Sequence, residues 1–337
     1  MTAELPYVSA VPKPRRKRRW SRVLAVFLLV VLASAPIALI GGVTWLDTAL
    51  HRGIIVSDYP ERPSSGRGST WLFIGSDSRQ ELTTEQQETL STGGDTGQGR
   101  ADTIVLVHVP RWGSRTPATM VSLPRDSQVP IPGQSRMKIN AAFALGGAPL
   151  LAQTVEQATG LRVDHVIEMG FSGFAALVDA LGGITACPTT PVDDPLAGIN
   201  LPAGCQTLDG QHALGYVRTR ATPRADLDRM VNQRLVMSAL LHRGATPTTW
   251  LNPWRWYAVP RAVVDAVTVD RGVHVWELAR LAWALNQSPT ATTVPIGALT
   301  DSDAGSVVIW NQDAARQLFA ALADDVPVPA AALDGTT

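Results

Sequence analysis

A run of 21 residues without a charge, residues 23–43, constrains this chain more than any other feature. At 1.5 Å of rise per residue, a helix of that length spans about 30 Å, which is the thickness of the hydrocarbon core of a bilayer. Seven basic residues lie within residues 13–22, on the N-terminal side of the run. Because basic segments stay in the cytoplasm, we predict a single-pass membrane protein with a cytoplasmic stub over 1–22, a transmembrane helix over 23–44 and an extracytoplasmic remainder. A cleaved signal peptide and a buried soluble helix are the alternatives.

The zero net charge of the whole chain hides an acidic body. The chain has 29 Lys and Arg residues against 29 Asp and Glu residues, but residues 1–44 hold seven of the basic residues and one acid. The remainder has 22 basic and 28 acidic residues, a formal net charge of −6. A sequence-independent nucleic-acid binder needs a broad positive face, so the composition argues against a nucleic-acid partner. The stub has no helix-turn-helix, which disfavours a membrane-bound DNA-binding regulator.

The chain has two cysteines, Cys187 and Cys205, and both follow the apolar run. Disulfides form and persist in oxidising compartments such as the cell exterior. The segment between the two cysteines is rich in Pro and Gly and can fold back on itself. We therefore predict a disulfide between them, with two separate buried thiols as the alternative.

Short apolar strands and helical patterns alternate after residue 69. Strand patterns cover residues 70–75, 103–109, 119–123 and 166–169, and helical patterns cover residues 149–159, 171–181, 226–242, 273–286 and 311–323. The alternation predicts an α/β domain with a central mixed sheet covered by helices on both faces. Residues 80–99 have no periodicity and predict a loop, and residues 209–220 predict a helical turn followed by an extended piece.

Two carboxylates lie at the ends of neighbouring predicted strands. Asp77 follows the first strand and Asp102 precedes the second. Side chains at such positions can meet across a sheet, and Mg²⁺ needs only one or two carboxylates where phosphates and waters complete its shell. The alternative is that both residues cap backbone N–H groups in turns.

Cationic side chains are concentrated near the same strand and helix ends. They are Arg79, Arg100, Arg125, Lys138, Arg218, Arg220 and Arg229. Arg218 and Arg220 share a face if their segment is extended, and like charges side by side favour an anion between them. Arginine makes planar, bidentate contacts to phosphate, so several arginines beside a carboxylate-held metal suit a pyrophosphate. The alternative is structural: Asp226 caps its helix and Arg229 pairs with a neighbouring acid.

Seven segments in chain order carry a family resemblance. They are LFIGSDSR, RADTIVLVHV, VSLPRDS, KINAAFALGG, GFSGFAALVDALGGI, LDGQHALGYVRTR and DLDRMVNQR, and they cover residues 70–243. In this order they resemble the LytR–CpsA–Psr family of bacterial cell-envelope proteins. The N-terminal stub with one membrane helix also fits that family, and the cysteine-bounded loop resembles its actinobacterial members.

The resemblance implies a glycopolymer transferase of the cell envelope. Such an enzyme takes a glycan from a polyprenyl-pyrophosphate carrier, attaches it to peptidoglycan through a phosphodiester, and releases polyprenyl phosphate. The resemblance to actinobacterial members suggests arabinogalactan as the glycan. A pyrophosphatase that uses water as the acceptor, and a non-catalytic scaffold that binds the lipid-linked glycan, are the alternatives.

The resemblance also assigns roles to residues. Asp77 and Asp102 match the carboxylates for Mg²⁺, which Mn²⁺ can replace. The matching pyrophosphate contacts are Arg125, Lys138, Arg218, Arg220 and Gln233, while Arg79, Arg100 and Arg229 lie in matching motifs. Arg125, Arg218 and Arg220 are the catalytic arginines, and Asp126 and Asp226 are two candidates for the acceptor of the hydroxyl proton. The chain departs from the family pattern at Asp228 and Asn232, where the family often has Gly and Arg.

These segments divide the chain after the membrane helix. We predict a juxtamembrane linker over 45–69, a catalytic domain over 70–243, an α/β extension that packs on or continues this domain over 244–325, and a loose tail over 326–337. We expect the lipid to need an apolar groove between the helices at 171–181 and 226–242 and the sheet.

Overall fold

The computed structural model describes residues 17–78, 82–93, 99–219, 221, 226–246, 249, 251–302 and 305–333, and the side chains at 17–19, 21, 226–231 and 234 lie outside this description. The chain forms two units, Met1–Thr48 and Ala49–Thr337. The described part of the first unit is helix α1 (Lys17–Ala49). An 18-residue window within Arg22–Ala49 has a mean hydropathy of 2.9, and among the described residues this is the one helix long and apolar enough to cross a bilayer.

The second unit is an α/β body. Its described helices are α2 (Thr84–Thr89), α3 (Ile139–Thr159), α4 (Phe171–Ala180), α5 (Gly210–Arg218), α6 (Asp226–Ala245), α7 (Arg255–Ala266), α8 (Val275–Leu285), α9 (Gln312–Ala323) and α10 (Ala330–Leu333). Its described strands are β1 (His51–Ile54), β2 (Ser69–Ser76), β3 (Ala101–Val109), β4 (Thr119–Ser122), β5 (Gln128–Pro130), β6 (Arg136–Lys138), β7 (His165–Met169), β8 (Ile184–Ala186), β9 (Val192–Asp194), β10 (Ile199–Leu201), β11 (Gln206–Leu208), β12 (Val267–Asp270), β13 (Thr290–Thr293), β14 (Ile296–Ser302) and β15 (Gly305–Trp310).

Seven strands form the central sheet in the order β1-β12-β7-β2-β3-β4-β13. The sheet is mixed: β3 is antiparallel to both β2 and β4, whereas β2 pairs with β7 in parallel and β4 pairs with β13 in parallel. Each of the four predicted strands is present within two residues of its expected bounds. These runs of apolar, largely β-branched residues are typical of strands that are buried on both faces.

Helices cover both faces of the sheet, as predicted. On one face, Leu72 of β2 and Leu106 of β3 pair across the ladder and are buried with Leu151 of α3 and Leu318 of α9. The next side chain along β3, Val105, points to the opposite face because strand side chains alternate, and there it lines a cavity that α6 also borders.

Helix α3 starts ten residues before the predicted helix at 149–159. Its run is broken at Gly146 and Gly147, and Gly147 has φ +64° and ψ −161°, a conformation that only glycine adopts readily. The predicted helix is thus the second of two helical segments. Pro149 stands in its first turn, where a missing N–H costs nothing.

The expectation for residues 209–220 is wrong in part. The chain forms the helix α5 through Arg218, and the Asp209 carboxylate caps it by accepting the His212 N–H at 2.9 Å. Arg218 is therefore in the last turn of a helix and not in an extended segment. A short helix also interrupts the loop predicted at 80–99: it is α2, which begins after Thr83 with a reciprocal capping pair between Thr83 and Gln86.

The extension and the linker both contribute strands to the same sheet. Residues 244–325 contain β12 and β13, and the segment predicted as a linker contains the edge strand β1. Part of the predicted loose tail is also packed: Ala332 is fully buried in the core, and the Thr292 hydroxyl donates to the Leu333 carbonyl at 3.4 Å.

The predicted disulfide between Cys187 and Cys205 is present, with Cα atoms 3.9 Å apart. The loop that it closes contains the β9–β10 hairpin, whose Ile199 is buried in the same cluster as Tyr216 of α5. The disulfide therefore fixes the hairpin against the helix that carries Arg218. In the chain-entropy view, a loop of this length contributes about 3 kcal/mol to stability.

Candidate functional site

A β-bulge lies between β2 and β3, next to Asp77 and Asp102, the two carboxylates that we predicted to bind a metal ion. Gly75 pairs with Thr103, but Ser76 pairs with Ala101, so the register skips Asp102. A bulge bends the strand and redirects the side chain of the extra residue, and bulges are frequent beside active sites. Asp102 is therefore set apart from the regular alternation of β3.

Asp77 is held one position beyond that bulge. Its N–H donates to the Arg100 carbonyl at 3.0 Å, and its carboxylate accepts a short hydrogen bond from the Arg100 N–H. Asp77 thus faces Arg100 across the ladder, and Asp102 lies diagonally opposite, two residues further along β3. Diagonal neighbours of an antiparallel pair lie about 7–8 Å apart, within reach of a shared ligand.

Four charged side chains form a continuous chain of ion pairs after β4. Arg125 Nη1 lies 2.8 Å from Asp102 Oδ1, and Arg125 Nε lies 3.5 Å from Asp126 Oδ2. Lys138 Nζ lies 2.8 Å from Asp126 Oδ1. The side chains of all four are a fifth to a third exposed, so an anionic ligand can reach the two cations. The structure thus brings together four of the residues that the sequence singled out.

The start of α3 holds the loop that carries this ion-pair chain. The Asn140 N–H donates to the Arg125 carbonyl at 3.2 Å, and the Ile139 N–H donates to the Ser127 carbonyl at 2.8 Å. The first N–H groups of a helix have no partner inside the helix. Here they bind the loop, so the backbone beside Arg125 is fixed by a rigid element.

The β14–β15 hairpin holds the same loop from the other side. The Val308 N–H donates to the Asp126 carbonyl at 3.0 Å, and the buried Trp310 indole donates to Ser127 Oγ at 2.9 Å. This hairpin had no predicted role in the site. No local pattern at Val308 or Trp310 indicates it, because the contacts arise only from the fold.

A cavity of about 590 Å³ extends from the ion-pair chain along the sheet. Its polar end is lined by Asp102, Arg125, Asp126 and Gln233. The remainder is mainly apolar, and its aliphatic lining includes Val105, Met120, Leu123, Met237, Leu241, Leu285, Ala291, Ile296, Leu299 and Val308. As expected, α6 and the sheet form its walls. Of the described residues that line it, none belongs to α4, and the wall expected there is supplied by the β14–β15 hairpin and the end of α8.

Arg218 lies outside this cavity. Its guanidinium donates to the carbonyls of Leu90 and Ser91 at 3.1–3.3 Å and lies 5.0 Å from the centre of the Phe171 ring. The contacts fix the side chain beside the turn that follows α2. The structure therefore groups Arg125 and Lys138 with Asp102, the predicted metal ligand, and places Arg218 in a separate setting.

Several predicted site residues lie outside the described structure. Arg79 and Arg220 are not among the described residues, and Asp226 and Arg229 are described only as backbone positions of α6. Among the described residues, no group of three or more His, Cys, Asp or Glu side chains could hold a metal ion. The available donor set is thus the pair Asp77 and Asp102, which suits a cation that completes its shell with water and phosphate oxygens.

Comparisons with known proteins agree with this architecture. The chain is 49% identical over 278 residues to a probable cell wall biosynthesis protein, LcpB, of Corynebacterium glutamicum, covering 82% of this chain and 66% of that protein. The chain therefore spans just under two thirds of the length of this relative. It is 32% identical over 249 residues to the polyisoprenyl-teichoic acid–peptidoglycan teichoic acid transferase TagT of Bacillus subtilis, covering 68% of this chain and 72% of TagT.

A solved structure supports the fold. The LytR-Csp2A-Psr enzyme from Actinomyces oris superimposes with a TM-score of 0.64 at 24% identity, covering 82% of this chain and 96% of that chain. A sequence profile of the LytR_cpsA_psr family matches residues 56–323, which includes the extension and part of the linker as well as the motifs at 70–243. The chain belongs to the LytR_cpsA_psr family.

Proposed function

We propose that this chain is a cell-wall glycopolymer transferase. In the proposed reaction it moves a glycan from polyprenyl pyrophosphate to peptidoglycan and leaves polyprenyl phosphate. Membership of the family and the named activity of TagT support this class of reaction. The observation that carries the proposal is the cavity, because it has charged residues at one end and a mainly aliphatic lining elsewhere.

The shape of the cavity matches the chemistry of a lipid pyrophosphate. Such a ligand has a doubly charged head and a long hydrocarbon tail. Arg125 and Lys138 lie at the charged end, where arginine can make bidentate phosphate contacts. Burial of hydrocarbon contributes about 25 cal/mol per Å² of apolar surface, so the aliphatic walls favour the tail.

We propose Asp77 and Asp102 as the residues that hold Mg²⁺, or Mn²⁺ in its place. Hard cations prefer carboxylate oxygens, and two carboxylates on neighbouring strands fit a metal whose other ligands come from water and substrate phosphate. When bound, the metal supplies charge neutralisation to the pyrophosphate oxygens. The bulge at Asp102 and the ladder contacts of Asp77 support this assignment, since they set both carboxylates where the two neighbouring strands β2 and β3 meet at one end of the sheet.

The chain's own residues have distinct parts in the proposed step. An acceptor hydroxyl oxygen forms a bond to the sugar-linked phosphorus, and the bond from that phosphorus to the lipid phosphate oxygen breaks. Arg125 and Lys138, with Arg218, Arg220 and Gln233 as further proposed contacts, stabilise the negative charge that develops on the phosphate oxygens.

The hydroxyl proton passes to a carboxylate in this scheme. Asp126 and Asp226 are the two candidates. Both oxygens of Asp126 are already engaged, one by Lys138 at 2.8 Å and the other near Arg125 at 3.5 Å. These contacts give Asp126 a part in positioning Lys138, and each of its oxygens keeps a further lone pair, so Asp126 and Asp226 both stay candidates for the base.

We infer that α1 anchors the protein in the cell membrane with the N-terminus in the cytoplasm and the body outside. The basic residues before the apolar run support this orientation. The disulfide between Cys187 and Cys205 supports it as well, because disulfides persist in oxidising compartments. The proposed glycan is arabinogalactan, on the resemblance of the cysteine-bounded loop to actinobacterial members.

The test uses the full chain in lipid vesicles with a radiolabelled polyprenyl-pyrophosphate glycan, Mg²⁺ and insoluble peptidoglycan. We expect label in the wall fraction, and we expect loss of transfer with EDTA and with Asp102→Asn or Arg125→Ala. Arg316→Ala is the matched control, since the described contacts of this exposed arginine are with Gln312 and Asp313 of its own helix α9, away from the cavity. Lipid phosphate released without label in the wall would indicate a pyrophosphatase. Binding without turnover would indicate a scaffold.

A further inference from the structure

A basic, aromatic surface lies at the end of the body remote from the ion-pair chain. Its first part is the turn between β3 and β4, where Arg111, Trp112 and Arg115 are exposed, Trp112 by 76%. Its second part is α8, where Trp276 and Trp283 are 54% and 55% exposed. Exposed tryptophans grouped in this way are unusual on a soluble surface and mark an interaction site.

The two parts form one surface through direct contacts. The rings of Trp112 and Trp283 lie 5.6 Å apart, and the Arg280 guanidinium lies 5.9 Å from the Trp112 ring. Arg280 also donates to the Pro110 carbonyl at 2.9 Å. Residues 276, 280 and 283 share one face of α8, because positions three and four apart are neighbours on a helix. The two parts thus form one continuous surface, which we call the platform.

The strand register places this platform at the tail end of the cavity. Asp102 begins β3, and the β3–β4 turn follows the opposite end of that strand. β13 pairs with β4 so that Ala291 faces Met120, and both residues line the cavity. The segment that enters β13 from α8, including Leu285, lines it as well. Asn286, Ser288 and Pro289, which lie between the end of α8 and β13, line the cavity too, so the end of the helix that carries Trp283 lies beside this end of the cavity.

The charge of the platform indicates what kind of partner it binds. Arg115 and Arg280 give it a positive charge on a body whose formal net charge is −6, whereas the Arg111 guanidinium lies 3.9 Å from the buried carboxylate of Asp325. Tryptophan concentrates at the headgroup level of bilayers, and cations beside such aromatic groups favour anionic lipids. Each basic residue near an anionic membrane surface strengthens the binding.

We propose that this platform, formed by Arg111, Trp112 and Arg115 with Trp276, Arg280 and Trp283, docks on the headgroup region of an anionic bilayer. The docking brings the apolar end of the cavity to the membrane, so a lipid tail passes between the two without crossing water. The delivery of a lipid tail to the cavity rests on the proposed function, but the docking itself requires no turnover. It can therefore be tested separately.

The first test places a fluorescent probe on the platform. Both natural cysteines are in the disulfide, so an introduced cysteine is the free thiol of the chain. We would label Arg115→Cys with a polarity-sensitive dye in the full chain, in vesicles of phosphatidylcholine with phosphatidylglycerol. The matched control is Gln134→Cys, which is exposed in the β5–β6 turn beside the charged end.

We expect a blue shift and quenching by brominated lipid at position 115 but not at position 134, and a smaller effect in pure phosphatidylcholine. Equal signals at the two positions would overturn the proposal. So would shielding of position 115 that persists in detergent and grows with protein concentration, since that result indicates a second copy of the chain as the partner.

The second test separates docking from catalysis. In the labelled chain, Trp112→Ser with Trp283→Ser should abolish the blue shift. With a long-chain substrate in the bilayer, the same variant should raise KM about tenfold, because the apolar contact with the membrane is lost. With a short-chain, water-soluble substrate, kcat/KM should stay unchanged. An unchanged blue shift would overturn the proposal, whereas absence of turnover in the unmodified chain would contradict only the proposed function.

Discussion

The guanidinium of Arg125 lies 2.8 Å from the carboxylate of Asp102 and ties the loop after β4 to the bulge in β3. In this pair each group balances the charge of the other. A ligand that engages either group must therefore bring the opposite charge: a cation for Asp102, or a phosphate for Arg125. A metal-bound pyrophosphate supplies both at once, which is the physical reason to expect these two residues to act together.

The first prediction tests the geometry of Arg125. Lysine keeps the charge but lacks the planar fork of two N–H groups, so Arg125→Lys cannot hold Asp102 and a phosphate oxygen together. We expect kcat/KM for transfer to fall by about 10²–10³, the usual effect of losing one charged contact to the transition state. Arg316→Lys on the surface of α9 should leave the rate unchanged. A rate within twofold of the unmodified chain for Arg125→Lys would contradict this assignment.

The second prediction concerns the disulfide. Replacing Cys187 and Cys205 by serine removes a constraint on the unfolded chain and should lower the free energy of unfolding by about 3 kcal/mol. Because the closed loop packs on α5, the change should also loosen Arg218. Denaturant unfolding measures the first effect, and hydrogen exchange of residues 210–218 measures the second. Faster exchange across the whole body, rather than in this region, would show that the disulfide has no local role.

The main strands and helices could be predicted from the sequence because their patterns are local. Residues 103–109 read as a buried strand since nearly every side chain is apolar or β-branched, and β3 covers them. Only the first turn of helix α5 was predicted, and not its extent to Arg218. Its N-cap, Asp209, is a recognisable signal, but Gly210 and Gly215 weaken the helical pattern and hide its extent.

The candidate site could be predicted as a set of residues but not as a set of contacts. Asp102, Arg125, Asp126 and Lys138 stand out because charged residues follow or precede apolar strands. Their pairing depends on a one-residue bulge and on backbone bonds from α3, and neither has a signature in the chain. The contribution of Trp310 could not be predicted at all, because it lies 183 positions from its partner Ser127.

The third prediction tests that long-range contact. Trp310→Phe keeps an aromatic ring but removes the indole N–H that donates to Ser127 Oγ. Ser127 is fully buried, so its hydroxyl loses a partner, and the free energy of unfolding should fall by about 1–3 kcal/mol. The loop that carries Arg125 should then lose part of its order, which lowers kcat more than it raises KM.

A double-mutant cycle provides the control for the third prediction. Ser127→Ala combined with Trp310→Phe removes both partners, so no polar group is left buried and unpaired. We expect the double variant to be less destabilised than the sum of the single variants, by about 0.5–3 kcal/mol. Strict additivity would show that the hydrogen bond does not couple the hairpin to the loop.

The fourth prediction concerns acid stability and rests on Asp270 at the end of β12. Its carboxylate accepts the N–H groups of Val166 and Gly272, each at 2.8 Å, and lies 3.5 Å from the ring of His165. Burial alone would raise the pKa of Asp270, but the imidazole and the two N–H groups outweigh it and hold the pKa below its ordinary value. The ionised carboxylate therefore stabilises the folded chain.

The sign of the pH dependence follows from this lowered pKa. The unfolded chain takes up the proton first as the pH falls, so the contribution of Asp270 is complete above about pH 4 and is lost as the pH drops through the folded pKa. Asp270→Asn should lower the unfolding free energy at pH 7 and flatten its decline below about pH 4. Asp313→Asn, at an exposed ion pair on α9, is the matched control and should keep the steep decline. Parallel pH curves for Asp270→Asn and the unmodified chain would show that another group governs acid unfolding.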